Sequence, residues 1–175
     1  MRDKQRTLAE AVSLINDGDQ LIIGGWTVIR KPMAAVYEMI RQGKRNLHLA
    51  SGTPGTEADL LAGAGCVAIS EQCYVGHEAF GHPYNFRRAV EQGPEHSGLI
   101  HDDCSLLTGW LRILAAAMGL PFMPTRTARG SDMLNPEFDR LKDFRASNPK
   151  LPRLKYTFIR DPFWEGSEIM LVPAV

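Results

Sequence analysis

Apolar residues recur along the first half of the chain in two alternating rhythms. Leu8, Ala11, Val12 and Ile15 fall at i, i+3, i+4 and i+7, the stripe of an amphipathic helix. Thr7-Leu8-Ala9-Glu10 has the spacing of a capping box, in which hydroxyl and carboxylate each satisfy an otherwise unpaired amide. Asp17-Gly18-Asp19 stops that helix. Leu21-Ile22-Ile23 then runs into Gly24-Gly25, the pattern of a buried strand entering a tight turn. Pro32 suits a first helical turn, and Met33, Val36, Tyr37 and Ile40 line one face up to Gly43. Leu47-His48-Leu49-Ala50 predicts a second strand. A turn from Ser51 to Thr56, a short helix through Leu60 and Leu61, and a third strand around Val67-Ala68-Ile69 follow. Strand, turn, helix, strand in this order predicts an α/β fold, a mostly parallel sheet flanked by helices.

The second half is less regular. Phe86, Ala89 and Val90 predict a helix closed by Gly93. Leu107, Trp110, Leu111, Leu114 and Met118 predict a longer one closed by Gly119 and Pro121, with Asp102, Asp103 or Ser105 available as its cap. Over residues 125–152 the periodicity dissolves into polar, proline-interrupted sequence, longer than an ordinary connection, so a lid-like loop excursion is expected there. Ile169-Met170-Leu171-Val172 reads as a final strand. Residues 1–175 read as a single domain without internal repeats.

Composition narrows the function classes. Apolar residues at 44% and charged residues at 23% are ordinary globular usage. Twenty basic residues balance twenty acidic ones, so no overall field draws the chain to nucleic acid or an anionic membrane. The apolar stretch around Leu111 to Met118 is far shorter than the ~20 residues of a membrane span. Cys66, Cys73 and Cys104 are odd in number and irregularly spaced, and the first residues do not have the pattern of an export signal, so a cytoplasmic location is expected.

Gly24 and Gly25 stand where a strand turns toward a helix, and residues without Cβ let a substrate oxygen approach backbone amides, as in an oxyanion hole. Arg30 and Lys31 precede the helix start, where amides and cations together favour an anionic group. The plainer reading is a tight turn beside solvated basic residues. Cys73, His77 and His82 contain zinc-ligand types, but Gly76, Gly81 and Pro83 between and beside them suggest an ordinary loop, and no metal is expected. Cys104 near His101 and Asp102 contains the types of a thiol nucleophile without the spatial arrangement one needs. Between Arg140 and Arg160 seven basic residues face one acid, Asp143; they read as a solvated loop, or as a contact for phosphates. No interleaved aromatics suggest a nucleic-acid platform.

Longer motifs add a resemblance. Asp17-Gly18-Asp19-Gln20-Leu21-Ile22-Ile23-Gly24-Gly25-Trp26 followed by Lys31-Pro32-Met33 resembles the amino-terminal signature of class I CoA-transferase alpha subunits, especially the glutaconate CoA-transferase type. Collinear matches continue through Gly63-Ala64-Gly65-Cys66-Val67, Phe86-Arg87-Arg88-Ala89, Leu120-Pro121-Phe122-Met123-Pro124-Thr125-Arg126, Gly130-Ser131-Asp132 and Asp161-Pro162-Phe163. Trp26 and Arg30 stand where the family usually has phenylalanine and often glycine. Family members also continue past the Val172-Pro173-Ala174 segment, so the chain reads as incomplete at its carboxyl end.

The resemblance implies a CoA-transferase-like fold and an alpha-type subunit that works on an acyl-CoA with a carboxylic acid acceptor. It implies a coenzyme A thioester as substrate and no permanently bound cofactor. The attacking glutamate of the family lies in a Ser-Glu-Asn-Gly-type motif on the beta subunit, which is absent here, so a hetero-oligomer with a beta-type partner is expected. Gly24, Gly25, Trp26, Arg30, Lys31, Arg126, Gly130 and Ser131 are the implied substrate-binding residues. Trp26 with Arg30-Lys31-Pro32-Met33 is also similar to relatives that open a ring in a steroid-derived CoA thioester; their functional acid falls by position on Asp103. Asp102 beside it could raise its pKa and make a general base, or both could simply cap the next helix. A fold alone does not fix chemistry, so a non-catalytic ligand-binding protein or an inactive fragment would fit the same pattern.

Overall fold

The structure is a computed structural model that describes residues 4–175. Where the sequence reads as one domain, the backbone gathers into two compact units, the first reaching His101 and the second running from Asp102 to Val175.

The first unit is the α/β part. Helix α1, Leu8–Ser13, starts at the expected box: Thr7 Oγ1 accepts from Glu10 N at 3.3 Å, while Thr7 N donates to Glu10 Oε2 at 2.9 Å. Then follow β1, Gln20–Leu21, α2, Met33–Arg41, β2, Leu47–Leu49, α3, Thr56–Gly63, and β3, Val67–Gln72. Helices α4, Tyr84–Gln92, and α5, Pro94–Ser97, lead to β4, Ile100–Asp103, whose last two residues are counted with the second unit. The sheet order is β1-β2-β3-β4, with β1 parallel to β2 and β2 parallel to β3. Of the buried strand expected over Leu21-Ile22-Ile23, only Leu21 pairs in the sheet, with Gln20 before it, and Ile22 is exposed, because the chain leaves at once for the turn. Val36, Met39, Leu47, Leu49, Leu61 and Val67 are buried together at the centre of its core.

The second unit is antiparallel, which the mostly parallel expectation did not contain. It holds α6, Leu106–Ala117, β5, Phe122–Thr125, α7, Lys142–Ser147, β6, Thr157–Arg160, and β7, Glu168–Pro173, with sheet order β5-β7-β6. Both pairings are antiparallel, so Met123 lies across from Val172, and Phe158 across from Met170. Within residues 125–152, where a loop excursion is expected, lies α7, and Leu141 and Arg145 are buried.

Helix α6 turns a mostly apolar stripe outward. Its buried side is Thr108, Gly109, Arg112 and Ala115, whereas Leu107, Trp110, Leu114 and Met118 form an exposed apolar stripe. Periodicity locates the helix and its stripe, but it cannot say that a buried arginine takes the inner side. Among the described residues, no helix is long and apolar enough to cross a membrane.

Candidate functional site

Three turns meet at the carboxyl ends of β1, β2 and β3, the place where open parallel sheets bind ligands. The first is the turn after β1. Gly25 has φ +102°, and a Cβ there would lie 2.6 Å from the Arg30 carbonyl oxygen and 2.8 Å from Lys31 Cδ, so the chain folds back on itself at this residue. Trp26 and Ile29 close the bend by exchanging backbone hydrogen bonds, Trp26 N to Ile29 O at 3.0 Å and Ile29 N to Trp26 O at 2.7 Å. Thr27 and Arg30 also hold positive φ, +41° and +55°. Two non-glycine residues keep such a conformation only where their surroundings over-determine it.

Those surroundings are the two neighbouring turns. Thr27 N donates to Thr53 O at 2.9 Å in the turn after β2. Gly55 comes so close that a Cβ would lie 2.6 Å from Thr27 C and 2.7 Å from Gly76 O. Gly76 N, in the turn after β3, donates to Pro54 O at 3.2 Å. The Cys73 thiol donates to the Gly52 carbonyl. The junction is therefore backbone against backbone.

Lys31 locks the junction from inside. Its ammonium lies 2.5 Å from Glu57 Oε1, both side chains are buried, and it also donates to Thr53 O at 3.4 Å. Glu57 Oε2 in turn accepts from Gly55 N at 3.1 Å. At the start of α3 this carboxylate also meets the positive end of the helix dipole. The Lys31 charge is thus taken up by Glu57 and the Thr53 carbonyl inside the protein, where it shapes the turn. Arg30 and Trp26 remain exposed beside it, and Gly24 has open space around its Cα. The hydroxyls of Thr27 and Thr53 are buried here without a hydrogen-bond partner among the described residues.

The remaining expected site residues lie in the second unit. Asp102 and Asp103 are successive strand residues, one buried and one exposed. Asp102 receives Arg145 Nη2 at 3.1 Å and Lys155 Nζ at 2.9 Å, and Lys155 also donates to the Asp103 carbonyl at 2.6 Å. Neither aspartate caps α6; Ser105 does, accepting from Thr108 N at 3.1 Å. With Asp102 turned inward and paired by two cations, the mutual repulsion expected of the two carboxylates loses its geometry. Tyr156 OH lies 3.3 Å from Thr108 Oγ1, and burial pushes its phenol up to about 12 against that hydrogen bond's opposing effect.

Arg126 Nε donates to Asp161 Oδ2 at 3.0 Å and its guanidinium carbon sits 4.0 Å above the Trp164 ring. Ser131 Oγ accepts from Met133 N at 3.3 Å, and Gly130 beside it is exposed with φ +76°. Of the basic run, Arg145 and Lys155 point inward to Asp102, while Arg140, Lys142, Lys150, Arg153 and Arg160 are exposed. Among the described residues no group of three metal-ligand types could hold a metal ion. The Lys31 to Glu57 pair and the Asp102 cluster carry no sequence signal, since each joins residues far apart in the chain.

Burial tends to raise the Asp161 carboxyl, but the amides of Phe163 and Trp164 and the Arg126 guanidinium outweigh it and hold it below its ordinary value of 3.8. A lowered acid stabilises the fold fully above that ordinary value and ceases to do so as pH falls through the lowered one. The melting-temperature gap between wild type and Asp161→Asn should be constant above about pH 5 and close as acid is added. A gap that widens on acidification would contradict the assignment.

Comparison with known proteins follows the same outline. Residues 5–151 match the family model described as coenzyme A transferase. The glutaconate CoA-transferase A-subunit of Acidaminococcus fermentans is 34% identical over 171 residues, covering 97% of this chain and 52% of the relative. The crystal structure of that organism's glutaconate coenzyme A-transferase superposes with a TM-score of 0.87 at 32% identity, over 97% of this chain and 52% of its own. The IpdA subunit of the cholesterol ring-cleaving hydrolase of Rhodococcus jostii is 31% identical, over 92% of this chain and 53% of the relative. The chain thus spans about half the length of the relatives it matches.

Proposed function

The chain belongs to the coenzyme A transferase family, and from that premise we propose that it is the alpha-type part of an enzyme moving coenzyme A between an acyl group and a carboxylic acid. The observation that carries the reading is the meeting of three backbone turns at the carboxyl ends of β1 to β3, where Gly25 and Gly55 leave no room for a side chain. In this role the amides around Gly24 and Gly25 face the reacting carbonyl, with Trp26 and Arg30 flanking the acyl group or its acid. Lys31 acts as a positioning residue through Glu57. Arg126, Gly130 and Ser131, in the second unit, are proposed as further substrate contacts.

The nucleophilic glutamate comes from a beta-type partner. The exposed stripe of Leu107, Trp110, Leu114 and Met118 supports such an association, since an apolar helix face of this size is unfavourable in water. Coenzyme A exchange between acyl-CoA and a labelled free acid should require both polypeptides. Exchange by this chain alone, or none in the assembled pair with any dicarboxylic or oxo acid, would count against the reading.

A second reading rests on Asp103. Asp103 is exposed, is not used as a cap, and has its backbone fixed by Lys155, and a relative carries the name of a ring-cleaving hydrolase. In this version Asp103 is the general base that activates water. Asp103→Asn should then lower hydrolysis about 10²- to 10⁴-fold, whereas under the transferase reading exchange stays within about threefold of wild type. Parallel assays of thioester hydrolysis and acid exchange on the same variant separate the two.

A further inference from the structure

The antiparallel sheet of the second unit has two edges, β5 and β6, and they are built differently. β5 carries Pro124, which has no amide hydrogen to offer a further strand, whereas β6, Thr157–Arg160, contains neither proline nor glycine. Among the described residues β6 pairs with β7 alone. All of its residues are exposed, Phe158 at 40% and Ile159 at 45%. These two are successive strand residues, so apolar side chains stand bare on both faces. An edge of this kind is a template for another strand.

The register identifies the backbone groups that face outward. Asp161 N donates to Ser167 O at 2.9 Å, and these two residues continue the pairing of Arg160 with Glu168. Bonded and non-bonded pairs alternate along an antiparallel ladder. Thr157 and Ile159 therefore bond toward β7, while Phe158 and Arg160 turn both amide and carbonyl away from it.

Two copies of this edge can pair only where outward residues meet outward residues. Setting Phe158 opposite Arg160 of a second copy satisfies that condition, and a two-fold axis then passes between the two Ile159 residues. Each Phe158 amide donates to the other copy's Arg160 carbonyl, and each Arg160 amide to the other copy's Phe158 carbonyl. Ile159 meets Ile159 in the close, non-bonded pair, the guanidinium lies beside the phenyl ring, and Thr157 falls opposite Asp161. No like charges stand opposite one another. An axis at Arg160 would instead set two guanidinium groups face to face. Twenty basic residues balance twenty acidic ones, so no net charge keeps two copies apart.

We propose that β6 is a self-association edge, through which two copies of this chain join their second-unit sheets into one continuous antiparallel sheet. The occupant is a second copy because the edge is complementary to itself.

Sedimentation equilibrium of the whole chain over about a hundredfold range of concentration tests this, and a reversible monomer to dimer equilibrium is expected. Phe158→Pro removes an outward amide without touching the bonds to β7, so it should weaken dimerisation about tenfold or more. Its melting temperature at a concentration where wild type is monomeric should match wild type within a few degrees. Ile159→Lys sets two ammonium groups at the axis and should weaken dimerisation as much. On oxidation Ile159→Cys should form a disulfide between copies, since a close non-bonded pair has the spacing a disulfide needs, and Phe158→Cys should not. Peptide mapping separates that link from any made by Cys66, Cys73 or Cys104. A chain that stays monomeric, a dimer indifferent to both Phe158→Pro and Ile159→Lys, or cross-linking through Phe158→Cys in place of Ile159→Cys overturns the proposal. If the chain is monomeric alone and Phe158→Pro instead abolishes assembly with a beta-type partner, the edge belongs to that partner and self-pairing is refuted.

Discussion

Lys31→Met should lower stability by about 3 to 5 kcal/mol, because it leaves the Glu57 carboxylate buried without its counter-charge. For a chain of this length that is a fall of roughly 6 to 20 °C in melting temperature. Glu57→Gln should be nearly as costly, since it strands the ammonium and weakens the bond from Gly55 N. The double variant removes both charges, so its loss should be well below the sum of the two singles, with a coupling of about 2 kcal/mol or more. Differential scanning calorimetry of the four proteins measures the cycle. Additive losses would mean that the pair does not hold the turns together.

Gly25→Ala should reduce coenzyme A exchange by the assembled enzyme about 10²- to 10³-fold, the loss typical of a removed oxyanion donor. A methyl group there overlaps the Arg30 carbonyl, and φ +102° is strained for alanine, so the turn must open and its amides lose their aim. The stability loss should stay near 1 to 3 kcal/mol, because the strain is local to a surface bend. Gly24→Ala is the control: its Cβ meets open space, and its melting temperature should match wild type within a few degrees. Exchange kinetics and melts on the same preparations distinguish a disabled turn from a destabilised fold. Normal exchange by Gly25→Ala would remove the turn from the chemistry.

Much of the first unit is legible in the sequence because its signals are local. The Thr7 and Glu10 box, the Gly24-Gly25 turn and the helix from Met33 each follow from a few adjacent residues, and the structure places them as read. Strands Ile100–Asp103, Phe122–Thr125 and Thr157–Arg160 are not legible. The last sets Phe158 beside Ile159 between polar residues, and the middle one sets Phe122 beside Met123 before Pro124, so neither sequence alternates in the way that marks a half-buried strand. The site divides the same way. Paired glycines announce a turn, but Lys31 cannot be told from a solvated cation, because its partner Glu57 is brought in by the fold. Likewise Arg112 and Arg145 look like surface residues in sequence, and both are buried. Charge in a sequence says little about where the charge ends up when a partner of opposite sign lies far away along the chain.

The claim at the centre is that this chain contributes shape while another polypeptide contributes the nucleophile. Trapping the covalent coenzyme A adduct on the assembled enzyme with borohydride or hydroxylamine, then locating it by peptide mass spectrometry, tests this directly. The account predicts modification on a glutamate of the beta-type partner and none on residues of this chain. An adduct on Glu57, Asp103 or any other acid of the present sequence would contradict it.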